Sequence, residues 1–366
     1  MNKELQKLID QGLLKKASEL DQPEKIPTGS LMLDYLLDGG IPTRRISEFF
    51  SKEGTGKSVQ AYHCINNALK MYPDKIALLV DTEQRADINW ISNFVEDIDR
   101  LYVMQPEYIE DVTDNIRELV NQGIGISLIV IDSIGAANTY RSADKSSKVM
   151  QEGGNAMGVG VVSRAMAPIA NKNNIAVLCI NQLRDDIASF VPSIGHTPGG
   201  RALKHALDLD IYMRKTSNKA TIKDENGETL IVGNEIAFKI MKGKNQSKVI
   251  KTFFYSKPSE LGDLGFDRFS EIVNLSVSLN IINKAAASYS YEDFPDGKIR
   301  GLDNVKTFLK ENEEIYHNLE QKIYQQLDVA NHIVESEELD AVGEIISEDL
   351  TDEEVSIEVT NENSKE

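Results

Sequence analysis

A glycine-rich segment at residues 49–58, Phe-Phe-Ser-Lys-Glu-Gly-Thr-Gly-Lys-Ser, leaves few folds open to this chain. An apolar run that ends at Phe50 precedes its loop, and an amphipathic run with Ala61, Ile65 and Leu69 follows it. This order predicts a strand, a phosphate-binding loop and a helix, because backbone N–H groups and the positive end of a helix dipole together bind phosphate. The alternative is an ordinary glycine-rich turn between two elements.

The residue types in this segment suit phosphate binding. Gly54 and Gly56 let the backbone turn its N–H groups towards an anion, the Lys57 amine is expected to reach the β- and γ-phosphates, and the Ser58 hydroxyl is expected to bind Mg²⁺. Ser51 stands where the usual pattern has glycine, so the match is one residue short. The sequence therefore predicts a site for a nucleoside triphosphate and Mg²⁺, built from Ser51, Lys52, Glu53, Gly54, Thr55, Gly56, Lys57 and Ser58.

The composition is that of a globular protein in water. The chain has 366 residues, of which 41% are hydrophobic and 27% charged, as is usual for such proteins. No apolar run approaches the roughly 18 residues needed to span a bilayer, and the N-terminus lacks a signal-peptide core, so we expect a cytoplasmic protein. Cys64 and Cys179 lie in apolar patterns and are predicted to be buried side chains rather than a disulfide or metal site.

Acidic residues are concentrated at the end of the chain. The net charge is −18, and residues 334–366 contain thirteen Asp or Glu and one Lys, so two thirds of the net charge lies in this tail. Such a composition predicts a disordered segment. The tail can compete with DNA phosphates for basic loops on the rest of the protein, or it can serve solubility alone.

Strand and helix patterns alternate after the phosphate loop. A helix at 31–37, with Thr28 and Ser30 as candidate caps, precedes the loop, and a shorter apolar-faced helix near the N-terminus is expected to pack on a neighbouring subunit. The predicted strands lie at 75–81, 101–104, 127–131 and 175–180, and the predicted helices at 87–95, 112–120 and 159–171. This alternation predicts a doubly wound α/β fold, with a mostly parallel central sheet and functional residues at the carboxyl ends of its strands.

Three predicted strands end in polar residues that suit phosphate chemistry. Asp132 closes an apolar strand, as in a Walker B motif, and its carboxylate is expected to support Mg²⁺; a turn or helix cap is the alternative. Glu83 follows the strand at 75–81 and can polarise the attacking water, or it can be a solvated loop acid. Gln182 follows the strand at 175–180, where its amide can bond the γ-phosphate and report the nucleotide state to the next loop.

Two long loops are predicted at the same edge of the sheet. The first, at about 148–160, is rich in glycine, and the second, at about 182–200, ends in Thr-Pro-Gly-Gly before Arg201. Loops of this length without structure of their own are usually functional or disordered. Their position predicts a ligand that is held only in one nucleotide state. The alternative is that one or both loops only cover the sheet.

Seven motifs occur in order along the chain: Pro27-Thr28-Gly29-Ser30-Leu31-Met32-Leu33-Asp34, the phosphate loop, Asp81-Thr82-Glu83, Ile131-Asp132-Ser133, Asn181-Gln182-Leu183-Arg184, Gly199-Gly200-Arg201-Ala202-Leu203-Lys204 and Lys242-Gly243-Lys244. Their order and spacing resemble those of the RecA family of DNA strand-exchange recombinases, and the resemblance covers residues 27 to about 327. The overall divergence resembles that of a version carried by a bacteriophage.

The resemblance implies that the nucleotide is ATP, and it implies a role for each matching residue. Lys57 and Ser58 would bind phosphate and Mg²⁺, and Asp132 would support the metal. Glu83 resembles the catalytic glutamate of the family. Gln182 resembles its γ-phosphate sensor.

Four further residues gain a role only through the resemblance. Asp87 and Trp90 lie where the family binds adenine with an acid and an aromatic ring; a lone tryptophan would otherwise be predicted in the core. Lys242 and Lys244 resemble the pair that reaches into the ATP site of a neighbouring subunit. Without the resemblance they would be solvated charges on an edge strand.

The two predicted loops resemble the DNA-binding loops of the family. The residues at matching positions are Met157, Arg164, Arg184, Ile187, Gly199, Gly200 and Arg201. Apolar Met157 and Ile187 would insert between base triplets while the arginines and loop amides contact phosphates, which stretches a strand without reading its sequence. The chain departs from the family pattern at Asp185 and Asp186, which add acid to the second loop, and at His205, which replaces an aromatic at a subunit contact.

The region after the core has a pattern of its own. Period-two segments between residues 234 and 255, with a hairpin turn at 224–227 before them, are expected to extend the sheet. A small α+β unit follows and resembles the C-terminal domain that gathers duplex DNA in the family. Its candidate contacts, which can also be merely solvated charges, are Lys284, Lys298 and Arg300. The predicted division is 1–26 (oligomerisation helix and linker), 27–261 (ATPase core), 262–333 (small C-terminal domain) and 334–366 (acidic tail).

The resemblance implies an ATP-dependent recombination and repair protein. It would form a helical filament on single-stranded DNA, exchange that strand with homologous duplex DNA and hydrolyse ATP in a DNA-dependent way. Single-strand-binding and loader proteins are further expected partners. Two alternatives remain: a ring-forming helicase, which lacks the small C-terminal domain, and a non-catalytic RecA-like regulator, which needs none of Glu83, Lys242 and Lys244.

Overall fold

One large sheet is the centre of the computed structural model, which describes residues 3–11, 13–19, 22–140, 154–183, 197–224, 227–246, 248–259, 262 and 264–332. Several sequence predictions concern residues outside these ranges. They are the acidic tail, most of the first loop, and the second-loop residues Arg184, Asp185, Asp186 and Ile187.

The strands, in chain order and within the described ranges, are β1 (Lys25–Ile26), β2 (Ile41–Pro42), β3 (Ile46–Ser51), β4 (Ile76–Asp81), β5 (Leu101–Met104), β6 (Ile126–Asp132), β7 (Ala176–Gln182), β8 (Leu207–Lys223), β9 (Thr229–Lys242), β10 (Val249–Tyr255), β11 (Gly265–Phe266), β12 (Asn283–Ala285), β13 (Ser288–Ser290) and β14 (Lys298–Arg300). The central sheet has the order β11-β10-β9-β8-β3-β7-β6-β4-β5. Its strands from β8 to β5 are parallel, and β9, β10 and β11 add to it antiparallel. The predicted α/β fold with a mostly parallel sheet is confirmed.

The parallel strands are continuous apolar runs because both faces of the sheet are covered. Successive residues of β6 alternate between two cores: Val130 packs with the cluster on one face, and Ile129 and Ile131 pack with the cluster on the other. Side chains that alternate across a strand and are buried on both sides are therefore mostly apolar. Glu48 in β3 is an exception, with 0% exposure.

The helices that cover these faces, again within the described ranges, are α1 (Lys3–Asp10), α2 (Leu31–Leu36), α3 (Lys57–Met71), α4 (Ile88–Ile91), α5 (Ile109–Asn121), α6 (Gly154–Asn173), α7 (Gly200–Ala206), α8 (Arg268–Ser278), α9 (Leu302–Glu311) and α10 (Glu313–His332). Helix α3 packs into the first core through Ala61, Ile65 and Leu69. Helices α5 and α6 pack into the second core.

Local sequence signals place most of the helix ends. Ser30 caps α2 as predicted, because its hydroxyl accepts a hydrogen bond from Leu33 N at 3.2 Å. Two predictions were wrong. The helix predicted at 87–95 is only the single turn α4, and α6 begins at Gly154 rather than at residue 159. The last residues of the predicted first loop are therefore helical, because this part of the chain packs against α5 and α7 instead of leaving the sheet.

Both cysteines are free and buried, as their apolar surroundings predicted. Among the described residues, no group of three or more His, Cys, Asp or Glu side chains is placed to hold a metal ion. No helix in the described part of the chain is both long enough and apolar enough to cross a bilayer.

A third core lies in the C-terminal unit and joins the α/β core at α2. Helices α8, α9 and α10 pack around Ile272, Leu309 and Leu319. At the junction the buried Glu271 carboxyl accepts hydrogen bonds from Ser30 Oγ at 2.8 Å and from Leu31 N at 2.7 Å. One carboxyl of the C-terminal unit therefore holds the first turn of α2 in the core.

This junction makes stability depend on pH. Burial raises the pKa of Glu271 from 4.5 to about 7, so the folded chain keeps a proton that the unfolded chain has already lost. The stabilisation is fully present below pH 4.5 and is lost as pH rises through about 7. We expect Glu271→Gln, whose amide resembles the neutral acid, to flatten this decline by about 1–3 kcal/mol.

Urea unfolding at a series of pH values measures this effect. Glu314→Gln, which changes an exposed glutamate of α10, is the control and should keep the slope of the unchanged protein. An identical slope in the Glu271→Gln variant would contradict the prediction.

Candidate nucleotide and DNA-binding site

The phosphate loop connects the carboxyl end of β3 to the first turn of α3. Strand β3 ends at Ser51 and α3 begins at Lys57. Gly54 (φ 71°) and Gly56 (φ 96°) have left-handed backbone angles that side chains disfavour. Such angles suit a loop that turns back at the start of a helix, where backbone N–H groups can bind an anion. The predicted strand, loop and helix are all present.

The Lys57 side chain is folded into the loop. Its amine donates hydrogen bonds to Ser51 O at 3.3 Å, to Ser51 Oγ at 3.0 Å and to Lys52 O at 3.1 Å. Burial lowers the pKa of Lys57, while nearby carboxylates, first among them Asp132, oppose this effect. A phosphate is a stronger acceptor for an ammonium group than a neutral carbonyl. These three bonds therefore hold the amine beside the loop, where a phosphate can replace the present acceptors.

Ser58 and Asp132 meet beside Lys57. The Ser58 hydroxyl donates a 2.6 Å hydrogen bond to Asp132 Oδ2 at the end of β6. Burial raises the pKa of Asp132, and the bond from Ser58 acts in the opposite direction. A hydroxyl and a single carboxylate, completed by phosphate oxygens and water, form the oxygen ligand set that Mg²⁺ prefers. The residues present therefore fit the predicted metal.

Glu83 lies just after the end of β4 and is held by two donors. Ser133 Oγ donates to Glu83 Oε1 at 3.2 Å, and Arg85 Nη1 lies 3.1 Å from Glu83 Oε2. The glutamate side chain remains 20% exposed. Charge interactions link it to both Asp132 and Lys57, so it lies close to the phosphate loop. The contacts with Ser133 and Arg85 were not predicted, although Ser133 follows the Walker B aspartate directly.

Trp90 lies on α4, next to this edge of the sheet, and Asp87 directly precedes the helix. Asp87 caps the helix by accepting a hydrogen bond from Asn89 N at 2.9 Å. Trp90 is 41% exposed and touches Phe94 edge to face, with ring centroids 5.2 Å apart. The tryptophan is therefore not a core residue, and its exposed ring can stack on a base.

Gln182 ends β7 beside the phosphate loop, because Ser51 and Gln182 are partners in the register of β3 and β7. The next residue, Leu183, donates its N–H to Ser51 O at 2.9 Å. That same carbonyl accepts from the Lys57 amine. The start of the predicted second loop is thus bonded to an atom that also holds the phosphate-loop lysine.

The described ends of the two predicted DNA loops are in contact. Gly199 and Gly200 have positive φ angles and lead into α7, and a Cβ built on Gly160 of α6 would lie 2.8 Å from Ala202 Cβ of α7. Helices α6 and α7 therefore pack closely where each begins near a loop. The side chains on these helices that face solvent include Met157, Arg164 and Arg201.

Comparison with known proteins agrees with this arrangement. The family model of the RecA N-terminal domain matches residues 3–254, and that of the RecA C-terminal domain matches residues 270–328. The chain is 34% identical over 326 residues to "Protein RecA" of Phytoplasma mali, which covers 88% of this chain and 92% of that protein. It is 34% identical over 314 residues to "Protein RecA" of Caldanaerobacter subterraneus, which covers 86% and 87%.

The chain belongs to the RecA family. A third relative, "Protein RecA" of Aquifex aeolicus, is 30% identical over 321 residues, which covers 87% of this chain and 89% of that protein. As a member of the RecA family, the chain functions in homologous recombination and DNA repair by strand exchange. The family consists of DNA-dependent ATPases that bind Mg²⁺ and form filaments.

The two lysines that the RecA resemblance assigned to a neighbour's site lie away from the phosphate loop of their own chain. Strand β9 is antiparallel to β8, and Lys242 at its end pairs with Asp210, which lies beside Glu48 rather than beside the loop. Lys242 Nζ donates to Lys204 O at 3.0 Å and to Leu207 O at 2.5 Å. Lys244 is 82% exposed, with Asp38 at 3.7 Å. After Lys242 the chain therefore continues towards the amino ends of the parallel strands, away from the carboxyl ends where the phosphate loop lies.

Proposed function

We propose that this chain is a DNA-dependent ATPase that assembles as a helical filament on single-stranded DNA, with ATP bound between neighbouring subunits. Homologous duplex DNA is the second DNA partner. The observation that carries this proposal is the direct hydrogen-bonded connection between the phosphate loop and the start of the segment 182–200, through Ser51 and Leu183. This connection lets the nucleotide state reach a DNA-binding loop.

Each residue at the carboxyl ends of the parallel strands has its own role in hydrolysis. Lys57 binds the β- and γ-phosphates, and Ser58 and Asp132 hold Mg²⁺, which when bound neutralises charge on the phosphate oxygens. Glu83, held by Ser133 and Arg85, orients and polarises the attacking water. The remaining loop residues, Ser51, Lys52, Glu53, Gly54, Thr55 and Gly56, surround the phosphates with backbone groups.

The nucleotide state reaches the DNA loops through two contacts. When phosphate draws the Lys57 amine away, Ser51 O keeps Leu183 N as its partner, and the start of the second loop is held more firmly. Gln182 bonds the γ-phosphate from the adjacent strand end. After hydrolysis both contacts relax, so the filament binds DNA tightly with ATP and releases it with ADP.

DNA lies along the start of α6 and α7. Gly199 and Gly200 let backbone amides approach phosphates, and Arg164 and Arg201 supply positive charge. Met157 is 56% exposed, as an apolar wedge between bases must be. Arg184 and Ile187 have the same two roles in the second loop. Binding of this kind is tolerant of sequence and weakened by salt.

Lys242 and Lys244 act on the ATP of a neighbouring subunit. Their position towards the opposite edge of the sheet supports this assignment, because one chain cannot bring them to its own phosphate loop. Within its own chain Lys242 instead donates to the carbonyls of Lys204 in α7 and of Leu207 just after it. The same lysine thus touches the helix that follows the second DNA loop.

Trp90 stacks on the adenine, and Asp87 bonds its amino group. We expect Trp90→Ala to weaken ATP binding by about 1–2 kcal/mol, since the stacking surface is lost, while Trp90→Phe keeps most of the affinity. Titration with a fluorescent ATP analogue measures this. Tyr102→Ala, which removes an exposed aromatic of β5, is the control. If Trp90→Ala binds the analogue as tightly as the unchanged protein does, the adenine does not stack on Trp90.

The test of the whole proposal is the ATP hydrolysis rate with and without single-stranded DNA, together with electron microscopy of the ATP-bound complex. Strong stimulation and helical filaments are expected. Closed hexameric rings would favour a helicase of the same fold. Absence of stimulation by any single strand would favour a non-catalytic regulator.

The remaining assignments follow from the same proposal. Residues 1–26 form an oligomerisation helix and linker, 27–261 the ATPase core, 262–333 a C-terminal domain that gathers duplex DNA, and 334–366 an acidic tail. Single-strand-binding and loader proteins are further partners, and the protein acts in the cytoplasm. A bacteriophage origin is proposed only from the overall divergence of the sequence, and the genes that flank the coding sequence would test it.

A further inference from the structure

We propose that the buried carboxyls of Glu48 and Asp210 share one proton and, through Asn181, fix both ends of the segment 182–198 relative to the phosphate loop. The inference rests on the proposed ATP-dependent DNA binding by that segment. It adds three residues to the machinery. Each acts through another group, so all three are positioning residues.

The three side chains lie together on one face of the sheet. Glu48 is on β3, and the register places Asp210 of β8 directly beside it. Asn181 is on β7, on the other side of β3. Glu48 and Asn181 are 0% exposed, and Asp210 is 7% exposed. These groups are therefore buried between the strand that enters the phosphate loop and the two strands next to it.

Two carboxyl oxygens in this cluster lack a donor. Glu48 Oε2 and Asp210 Oδ1 are buried, and neither has a hydrogen-bond partner among the described residues. Two facing carboxylates cannot satisfy each other, whereas a neutral carboxyl can donate to a charged one. A shared proton therefore satisfies both oxygens and avoids two buried like charges.

Burial and the repulsion between the two carboxyls favour one proton in the pair, and the nearby lysines oppose this effect. Burial, and then the charge of Asp210, raise the pKa of Glu48, while the bond from Asn181 opposes them. Burial also raises the pKa of Asp210, which the cations of Lys204 on α7 and Lys242 on β9 counteract. Among the described residues Cys179 is a further titratable neighbour, and burial raises the pKa of its thiol. The two lysines therefore favour a charged carboxyl in the pair, whereas burial, the largest effect on both groups, favours a protonated one.

Asn181 connects this pair to the loop. Its amide nitrogen donates to Glu48 Oε1 at 2.7 Å and to Pro198 O at 2.8 Å, and its oxygen accepts from Gln182 N at 3.0 Å. A Cβ on Gly135 would lie 2.5 Å from that oxygen, so the turn after β6 also packs on the amide. A single side chain therefore ties the first residue of the segment to its last, and both to the strand of the phosphate loop.

Loss of the shared proton would move this assembly. Two adjacent carboxylates repel each other strongly in a buried site. Because Asn181 is hydrogen-bonded to Glu48, a shift of Glu48 would also move Asn181 and both ends of the segment. Raising the pH removes the proton. ATP-dependent DNA binding should therefore weaken as the pH rises.

Fluorescence anisotropy of a labelled oligothymidylate, with ATP and with ADP, tests this from mildly acidic to mildly alkaline pH. In the unchanged protein we expect the ATP-dependent part of the binding to be lost as the pH rises. Glu48→Gln should keep it, because the amide donates to Asp210 without a titratable proton. Asp210→Asn should also keep the ATP-dependent binding, because its amide donates to Glu48. This variant replaces Glu48→Gln in the test if Glu48→Gln does not fold. Asn181→Ala should weaken ATP-dependent binding about tenfold at every pH, since two hydrogen bonds to the segment are lost.

Asp34→Asn is the matched control. Burial raises the pKa of Asp34 to about 8, but its carboxyl bonds Thr28 N and not Asn181. This variant should keep the pH profile of the unchanged protein. The proposal is overturned if the profile of the unchanged protein is flat, or if Glu48→Gln and Asp210→Asn both follow the unchanged profile.

A second measurement separates this inference from the proposed function. If the unchanged protein shows no ATP-dependent DNA binding at any pH, the proposed function fails. The infrared carbonyl band of a protonated carboxyl at neutral pH then tests the pair alone. A band that is present in the unchanged protein and reduced in Glu48→Gln supports the shared proton, and the same band in both contradicts it.

Discussion

Glu83→Gln is expected to lower DNA-dependent ATP hydrolysis by about 10²–10⁴-fold, the range for loss of a general base. The amide can still accept from Ser133, so the loop keeps its shape, but it cannot polarise water as a carboxylate does. Binding of ATP and of single-stranded DNA should persist, because Lys57, Ser58 and the DNA loops are unchanged. The variant should therefore hold DNA in a filament that does not turn over.

Steady-state hydrolysis and DNA binding with ATP, measured on the same preparation, check this prediction. Glu96→Gln is the matched control, since Glu96 is an exposed acid paired with Lys70. It should hydrolyse ATP at the normal rate. A Glu83→Gln variant with full hydrolysis would remove Glu83 from the catalytic site.

Lys244→Ala is expected to lower hydrolysis by about 10²–10³-fold, the cost of removing one charge-stabilising donor at a reacting phosphate. The reason is that, in the proposed filament, ATP lies between subunits and the neighbouring subunit supplies Lys244. The stability of the variant should be unchanged, because Lys244 is 82% exposed and the substitution removes only its 3.7 Å contact with Asp38. Lys310→Ala, which changes an exposed lysine of α9, is the control.

Mixing the two inactive variants is the sharper form of this test. In an equal mixture, about one quarter of the interfaces combine the intact Glu83 of one chain with the intact Lys244 of the next. Hydrolysis should therefore recover to about a quarter of the normal rate. A mixture that stays inactive, while both variants still form filaments together, would mean that the two residues do not act on one ATP.

Local patterns predicted much of this protein well. Apolar runs and turn residues placed β3, the phosphate loop and α3, because strand burial and glycine conformation depend on nearby sequence. Since parallel strands end at one edge, the sequence also predicted that Lys57, Asp132, Glu83 and Gln182 would come together. The observed bond between Ser58 and Asp132 agrees with that prediction.

Other features depend on contacts between distant segments. The early start of α6 results from packing on α5 and α7, and the bond from Lys242 to the end of α7 depends on the antiparallel register of β9. Ser133 and Arg85 converge on Glu83 only after β4 and β6 pair. The periodicity of apolar residues within one segment cannot predict these contacts, because each contact joins segments that are distant in the sequence.

Sequence alone predicted the fold class, the phosphate loop and the strand ends where the candidate site residues lie, because each depends on short-range backbone preference and burial. Tertiary structure was needed for Glu48, Asp210 and Asn181, which are far apart in the chain and unremarkable in their own strands. The sheet order β8-β3-β7 places them side by side and buried, and one oxygen of Glu48 and one of Asp210 have no donor among the described residues. A buried polar group takes its properties from its neighbours, and only the folded chain supplies those.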